Sequence, residues 1–290
     1  MALVFVGLLA VGFALAVVVY ESFVAYRPVA GQHLGHGGKG AQFVARFDLT
    51  HVMLYEPFRR YVFPLVDLGG QERRERLGEQ GFLVGGEVRE VAVAFGSDAS
   101  EWSIVLGGPL ADDDVSATLA KVLRAENRRV DERSGVFTVG GGRLVFAQAD
   151  DGALVLASSE ARLRSALPAS PEPEPLGQGA GGFRVSRNWL PDGLIQLQGS
   201  YRAGSVLLVD LSAETAGGTP TEQGKAALKA LLLRIGGLDP VLKACAETAV
   251  IRAIPGRVTA EVSLSNTAVE RLAARAVDVL GLSPVEVGQR

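Results

Sequence analysis

Residues 250–277, VIRAIPGRVTAEVSLSNTAVERLAARAV, decide the fold class of this chain. Apolar and polar residues alternate on both sides of Pro255-Gly256, which predicts two strands joined by a tight turn. A helix is expected next, opened by a capping box from Thr267 to Glu270 and carrying apolar residues on one face. A hairpin joined directly to an amphipathic helix is typical of an α+β architecture.

The same order of elements occurs twice along the chain. Before the hairpin, the sequence predicts a strand at 206–211 and a helix at 221–235, which restarts at Asp239 and Pro240. The first half of the chain gives a parallel series: a strand at 43–49, a helix at 57–80, strands at 88–95 and 102–106, and a helix capped by residues 112–114. We therefore predict two β-α-β-β-α lobes with antiparallel sheets and helices on one face.

Breaks in composition set the expected domain boundaries. The first lobe, 42–167, includes a strand meander at 136–139, 144–149 and 154–158, closed by a short helix. PASPEPEPLGQGAGG at 168–182 predicts an extended linker, the second lobe spans 183–282, and 283–290 is a tail.

Residues 1–20 are predicted to form a transmembrane anchor. The run 2–20, ALVFVGLLAVGFALAVVVY, carries no charge, and nineteen helical residues span the roughly 30 Å of a bilayer core. A cleaved signal peptide is the alternative, but no Lys or Arg precedes the run and its exit is bulky. A buried core helix is a third interpretation, which the absence of a polar face disfavours.

The orientation of the anchor is indicated by weaker signals. Arg27 and Lys39 after the anchor favour a cytoplasmic body under the positive-inside rule. A one-residue N-terminal tail carries little orienting information, and anchors of this shape commonly export the domain attached to their C-terminal end. We therefore expect a single-pass protein of the cytoplasmic (inner) membrane with a periplasmic or other extracytoplasmic body.

Residues 21–41 are predicted to be a flexible tether because most of them, 28–41 (PVAGQHLGHGGKGA), are rich in glycine and poor in apolar residues. His33 and His36 lie within it without nearby acidic or cysteine ligands, so we interpret them as solvated linker histidines and expect no metal site. Gly38-Lys39 lacks the other residues of a phosphate-binding loop. No cofactor is expected.

Composition excludes several classes of function. Lys and Arg number 29 against 32 Asp and Glu, a net charge of −3, which argues against nucleic acid as a partner. The single cysteine, Cys245, fits a small buried apolar residue on a helix. With three histidines and no nucleophile motif, the sequence predicts a protein that is not an enzyme.

One segment concentrates residue types that are enriched at protein interfaces. Residues 53–64, MLYEPFRRYVFP, contain aromatic and arginine side chains that could pack on the first sheet or contact a partner. A second candidate of the same kind is the segment 189–193. The candidate partner surface is Tyr55, Phe58, Arg59, Arg60, Tyr61 and Trp189.

The plan of anchor, tether and repeated α+β units resembles uncharacterised bacterial single-pass membrane-anchored proteins with an extracytoplasmic body. Arginine outnumbers lysine 24 to 5, which is consistent with a GC-rich bacterial genome. The resemblance covers the whole chain, rests on element order, and implies a location and a fold class without an active site.

Three functions remain open from the sequence. The first is a non-enzymatic envelope protein that binds a protein partner or scaffolds an assembly. The alternative is an anchored carrier or sensor that binds a small or lipidic ligand in a cleft of the body. The third is a hydrolase or transferase whose carboxylates are assembled across the fold. Homo-oligomerisation is left open.

Overall fold

A computed structural model of the chain describes residues 36, 40–48, 55–57, 88, 90–98, 100–108, 114–125, 127–142, 144–168, 181–217, 221–237 and 239–279. Within them, twelve strands and five α-helices form an α+β structure with a large antiparallel sheet, which confirms the predicted class. The predicted anchor, the helix at 57–80 beyond its first residue, most of the linker and the tail lie outside the described residues.

The elements of the first half are β1 (Phe43–Asp48), β2 (Glu90–Phe95), β3 (Trp102–Gly107), α1 (Val115–Ala125), β4 (Val130–Arg133), β5 (Val136–Val139), β6 (Leu144–Gln148), β7 (Leu154–Ala157) and α2 (Glu160–Ala166). Those of the second half are β8 (Gly181–Ser186), a 3₁₀ turn (Arg187–Trp189), β9 (Leu194–Ala203), β10 (Val206–Thr215), α3 (Thr221–Gly236), α4 (Pro240–Thr248), β11 (Val250–Ile254), β12 (Arg257–Ser265) and α5 (Asn266–Val279).

All twelve strands belong to one sheet, in the order β11-β12-β10-β9-β8-β1-β2-β3-β7-β6-β5-β4. We expected each lobe to have a sheet of its own, and the structure corrects this. Strand β8 pairs with β1, from Phe43 opposite Val185 to Phe47 opposite Gly181, so the second half extends the sheet of the first. Pairing of these two strands leaves neither as an open edge.

Helices cover both faces of the sheet, whereas the sequence led us to expect one. Strand registers place Phe146 on the same face as Leu211, and this face carries α1, α3, α4 and α5. On the opposite face, Leu163 of α2 packs against Val145 and Val155. The reason is that β6 and β7 are continuously apolar, so both of their faces must be buried.

In the second half of the chain, the two faces of the sheet differ in burial. Along β12, Val258 and Val262 are buried on the helix-bearing face, while Glu261 and Ser263 are exposed on the other. Helix α3 buries Leu228 against the first of these faces. Among the described elements, no helix packs on the opposite face of β9 to β12, which we call the helix-free face.

Local capping signals explain where most helices begin. Asp114 accepts a hydrogen bond from the Ala117 backbone at the start of α1, at 2.9 Å. Ser159 caps α2, and Asp239 caps α4 with Pro240 in the first turn, as predicted.

The last helix begins earlier than its predicted capping box. In α5 the cap is Ser265, whose hydroxyl accepts from the Ala268 backbone at 3.2 Å, two residues before the predicted Thr267. The helix starts directly at the end of β12, so the last residue of the strand serves as the cap.

The end of the tether contacts the first half of the body. His36 is buried, with Nε2 2.9 Å from an Asp151 carboxylate oxygen and Nδ1 2.5 Å from the Leu167 carbonyl oxygen. Ala41 joins the core beside α2. Our interpretation of His36 as a solvated linker histidine is therefore wrong, because two acceptors from separate loops hold its ring.

Candidate functional site

Four aromatic side chains meet on the helix-bearing face of the central strands. Phe43, Phe95, Phe183 and Trp189 form this group, which we call the aromatic platform. Three come from strands, and Trp189 ends the 3₁₀ turn after β8. The platform therefore joins the two halves of the chain at their shared strand pair.

Strand pairing fixes the floor of the platform. Phe43 lies directly opposite Phe95 in the β1–β2 pair, and their ring centroids are 5.8 Å apart. Phe183 lies on the neighbouring strand with its ring stacked on Phe43, at 6.4 Å and an interplanar angle of 17°. Aromatic pairs at these separations stabilise each other beyond the area that they bury.

A glycine makes room for this arrangement. Gly199 on β9 lies beneath Phe183, and a Cβ atom at position 199 would come within 2.3 Å of the phenyl ring. The ring can thus lie against the strand backbone only because position 199 lacks a side chain.

Trp189 forms the accessible top of the platform. Its indole stacks on Phe43 at 6.1 Å and approaches Phe95 at 6.2 Å, yet 39% of the residue remains exposed. Arg187 and Asn188 beside it are exposed as well. The result is a partly exposed apolar surface bordered by a cation and an amide, a composition suited to contact with a protein partner.

The structure separates the predicted partner-surface residues. Trp189 lies on the exposed platform, whereas Tyr55 is buried in the core of the second half. Burial raises the pKa of Tyr55, and the nearby Glu270 carboxylate raises it further. Tyr55 thus offers no open surface here, and Phe58, Arg59, Arg60 and Tyr61 lie outside the described residues, where their assignment stays a prediction.

Sequence reasoning missed the three phenylalanines of the platform. Phe43 and Phe95 stand at the ends of strands, where an aromatic residue is a weak signal by itself. The third ring, Phe183, comes from a strand 140 positions after Phe43. The pairing of β1 with β8, which brings these rings together, was not predicted.

A concave region lies on the helix-free face. Its volume is about 440 Å³, within the range of small-molecule sites. Most of the lining side chains are polar. They include Gln198, Ser200, Asp210, Ser212, Arg252, Arg257, Thr259 and Glu261.

Buried charges lie on the same side of the sheet as the helix-free face, but on the central strands β1 and β2. The Arg46 guanidinium donates to Oε1 of Glu90, and both residues are buried. Asp48 lies opposite Glu90 in the β1–β2 pair. Within the described part of the chain, Oε2 of Glu90 has no hydrogen-bond partner. Burial of these charges costs desolvation free energy, and removal of one partner of the pair would leave the other charge buried and uncompensated.

The pKa of Tyr201, which lies next to this network, is shifted by burial and by the charges of the network. The Tyr201 hydroxyl donates to the Arg46 carbonyl oxygen at 3.3 Å. Burial raises the pKa of Tyr201, the Asp48 carboxylate raises it further, and the Arg46 guanidinium opposes the change.

Residues suited to metal or thiol chemistry are sparse. In the described ranges, no group of three or more His, Cys, Asp or Glu side chains could hold a metal ion. Burial raises the pKa of the Cys245 thiol, which disfavours the reactive thiolate. Cys245 packs at the edge of the second core, as expected for a small apolar residue.

No helix among the described residues is both long and apolar enough to cross a membrane. The predicted anchor at 2–20 lies outside those residues and stays a prediction.

Solved structures of similar fold include crystal forms of TP0453. Crystal form III matches with a TM-score of 0.51 and 13% identity, covering 84% of this chain and 97% of that chain. Crystal form IV matches with a TM-score of 0.50 and 14% identity, covering 84% and 95%. Similarity at this identity shows the fold alone. No protein-family model and no curated protein sequence matches the chain.

Proposed function

We propose that this chain is a non-enzymatic, membrane-anchored envelope protein whose body binds another protein through the aromatic platform. The observation that carries the proposal is that 39% of Trp189 is exposed although its indole is stacked on Phe43. Stacking orders the ring before a partner arrives, so little conformational entropy is lost when it is covered. Tryptophan and arginine are the residues that most often dominate interface energies.

The predicted anchor and tether supply the location. Residues 2–20 would hold the chain in the membrane, and residues 21–41 would keep the body close to the membrane surface. An extracytoplasmic body would then present the platform to partners in the cell envelope.

Topology is tested with reporters fused after Arg290. One reporter is active only outside the cytoplasm, the other fluoresces only inside it, and a blot against a tag detects cleavage. We expect activity of the first reporter on an uncleaved chain. Fluorescence of the second would place the body in the cytoplasm and contradict the envelope location.

Partner binding is tested by photo-cross-linking in cells. A benzoylphenylalanine residue at exposed Asn188 is expected to give a discrete cross-linked product, and Trp189→Ala in the same chain is expected to abolish it. The matched control carries the same group at exposed Lys121 on α1, remote in sequence from the platform. Equal cross-linking at both positions, or cross-linking that survives Trp189→Ala in a folded chain, would contradict the platform as the binding surface.

A ligand carrier is the second proposed function, and the groove on the helix-free face supports it. Its volume of about 440 Å³ suits a small molecule, and its polar lining favours a polar ligand over an acyl chain. Native mass spectrometry of the full chain purified in detergent is expected to retain such a ligand. Repeated absence of any added mass would count against the carrier function.

A further inference from the structure

The two ends of the sheet are protected to different degrees. Strand β4 ends the sheet on one side and β11 ends it on the other. An edge strand presents unpaired backbone donors and acceptors to any extended segment that approaches it. Folded proteins usually blunt such edges with charges, prolines or short strands.

Strand β4 carries that protection. It has four residues, and three of them, Asp131, Glu132 and Arg133, are charged and exposed. Two carboxylates also contact arginines beside the strand, with 3.2 Å between Arg129 and Asp131 and 3.9 Å between Arg124 and Glu132. Another strand could pair there only by disturbing these charges.

Strand β11, by contrast, presents aliphatic side chains at its edge. Its five residues are VIRAI, and on the helix-free face Val250 and Ile254 are 52% and 51% exposed. Alternate residues of an antiparallel edge strand direct their N–H and C=O groups away from the sheet. In the described part of the chain, four of the five exposed large apolar side chains belong to β11 and to α3, which packs against it.

Arg252, between the two aliphatic side chains, has no counter-ion among the described residues. Two neighbouring arginines on this face are paired, Arg202 with Asp210 at 2.9 Å and Arg257 with Glu214 at 3.9 Å. Arg252 makes neither a salt bridge nor a hydrogen bond with any described residue. Its charge is therefore available to a group that arrives from outside.

We infer that β11 binds an extended segment of another protein as a thirteenth strand, with an acidic residue opposite Arg252 and aliphatic residues at the alternating positions on either side. Backbone hydrogen bonds to the edge would hold the segment, and the pattern aliphatic-x-acidic-x-aliphatic would select it. Opposite charges across an antiparallel pair stabilise it, whereas like charges destabilise it.

The same charge disfavours a second copy of the chain as the occupant. Antiparallel self-pairing symmetric about Arg252 would place this side chain opposite its own counterpart. A register that avoids the clash would pair fewer of the five residues in β11.

The experiment uses the full chain in detergent and a capped synthetic peptide, Thr-Val-Thr-Glu-Thr-Val-Thr, with binding measured by fluorescence anisotropy. We expect saturable binding, weakened about tenfold by Arg252→Glu and recovered in that variant when the peptide carries Lys in place of Glu. Arg133→Glu is the matched control, because it makes the same charge reversal on exposed β4 at the opposite end of the sheet; it should leave binding unchanged.

Backbone methylation distinguishes strand addition from simple charge attraction. One further peptide carries N-methyl groups on the alternate residues whose N–H groups would point at β11. A second carries them on the intervening residues, whose N–H groups would point away. The first peptide should lose binding and the second should keep it. Equal binding of both, or binding unaffected by Arg252→Glu, would overturn the inference. Sedimentation of the wild-type chain as a dimer that the peptide dissociates would assign the edge to a second copy instead.

Discussion

The hydroxyl of Tyr55 donates a 2.6 Å hydrogen bond to Oδ1 of Asn266, the first residue of the last helix. The two residues are 211 positions apart, so this bond ties the segment after β1 to the C-terminal end of the fold. The Tyr55 ring packs in the core of the second half, although the residue belongs to the first.

Tyr55→Phe should lower the free energy of unfolding by about 1 kcal/mol, because it removes the hydrogen bond and keeps the packing. Tyr55→Ala should cost about 3–5 kcal/mol, since it also empties part of the core. Urea unfolding of the full chain measures both. A double-mutant cycle with Asn266→Ala isolates the bond, and a coupling energy near zero would show that it contributes nothing.

Alkaline pH should destabilise the protein through its buried tyrosines. Burial raises the pKa of both Tyr201 and Tyr55 above the value near 10 of an unfolded chain. The contribution of these tyrosines to the free energy of unfolding is complete below about pH 10. It is lost as the pH rises through their pKa values in the folded state, because the unfolded chain then releases protons that the folded chain retains.

The measurement is a spectrophotometric titration of tyrosinate in the folded and in the urea-unfolded chain. Tyr55 and Tyr201 should ionise at higher pH in the folded protein, and Tyr201→Phe should remove one of these two contributions. Identical titration curves for the folded and unfolded wild-type chain would contradict the burial of these hydroxyls.

Local signals were sufficient for much of the second half. The turn at Pro255-Gly256 was predicted from two residues, and the structure has Gly256 at φ +77°, which glycine adopts without strain. The helix start at Asp239 and Pro240 was likewise predicted from these two neighbouring residues. Strand β4 was missed because its residues, VDER, are mostly charged, and strand prediction depends on apolar alternation.

Features that depend on distant pairing were not predicted. The single sheet requires β1 to pair with β8, and the aromatic platform requires the same pairing. No local sequence pattern indicates which strands will pair with the strand that carries Phe43. The position of α2 on the opposite face had a readable signal, the continuous apolar runs of β6 and β7, which we assigned to ordinary meander strands.

Gly199→Ala should disturb the platform and the stability together. The new methyl group would meet the ring of Phe183, and so we expect a loss of about 1–3 kcal/mol in urea unfolding and a change in tryptophan fluorescence. Gly204→Ala is the matched control, because its nearest contact would be an ordinary 3.8 Å to the Val206 carbonyl oxygen. Equal effects of the two substitutions would show that Phe183 does not need the space above position 199.

Removing one member of the buried Arg46–Glu90 pair should cost more than replacing both. Glu90→Leu would leave the Arg46 guanidinium buried without this carboxylate, and we expect a loss of about 3–5 kcal/mol. The double variant Arg46→Met/Glu90→Leu removes both charges and fills the space with apolar atoms, so it should recover most of that loss.

Urea unfolding of the wild-type chain, of the single variants Arg46→Met and Glu90→Leu, and of the double variant completes this cycle. Losses that simply add would show that the two charges act independently. A double variant that is as stable as the wild type and retains one cooperative transition would mean that the pair is not required for stability. The fluorescence of Trp189, measured in a Trp102→Phe background, would then report on the aromatic platform. Because Phe43 and Phe95 meet only when β1 and β2 keep their register, this signal shows whether the register depends on the two charges.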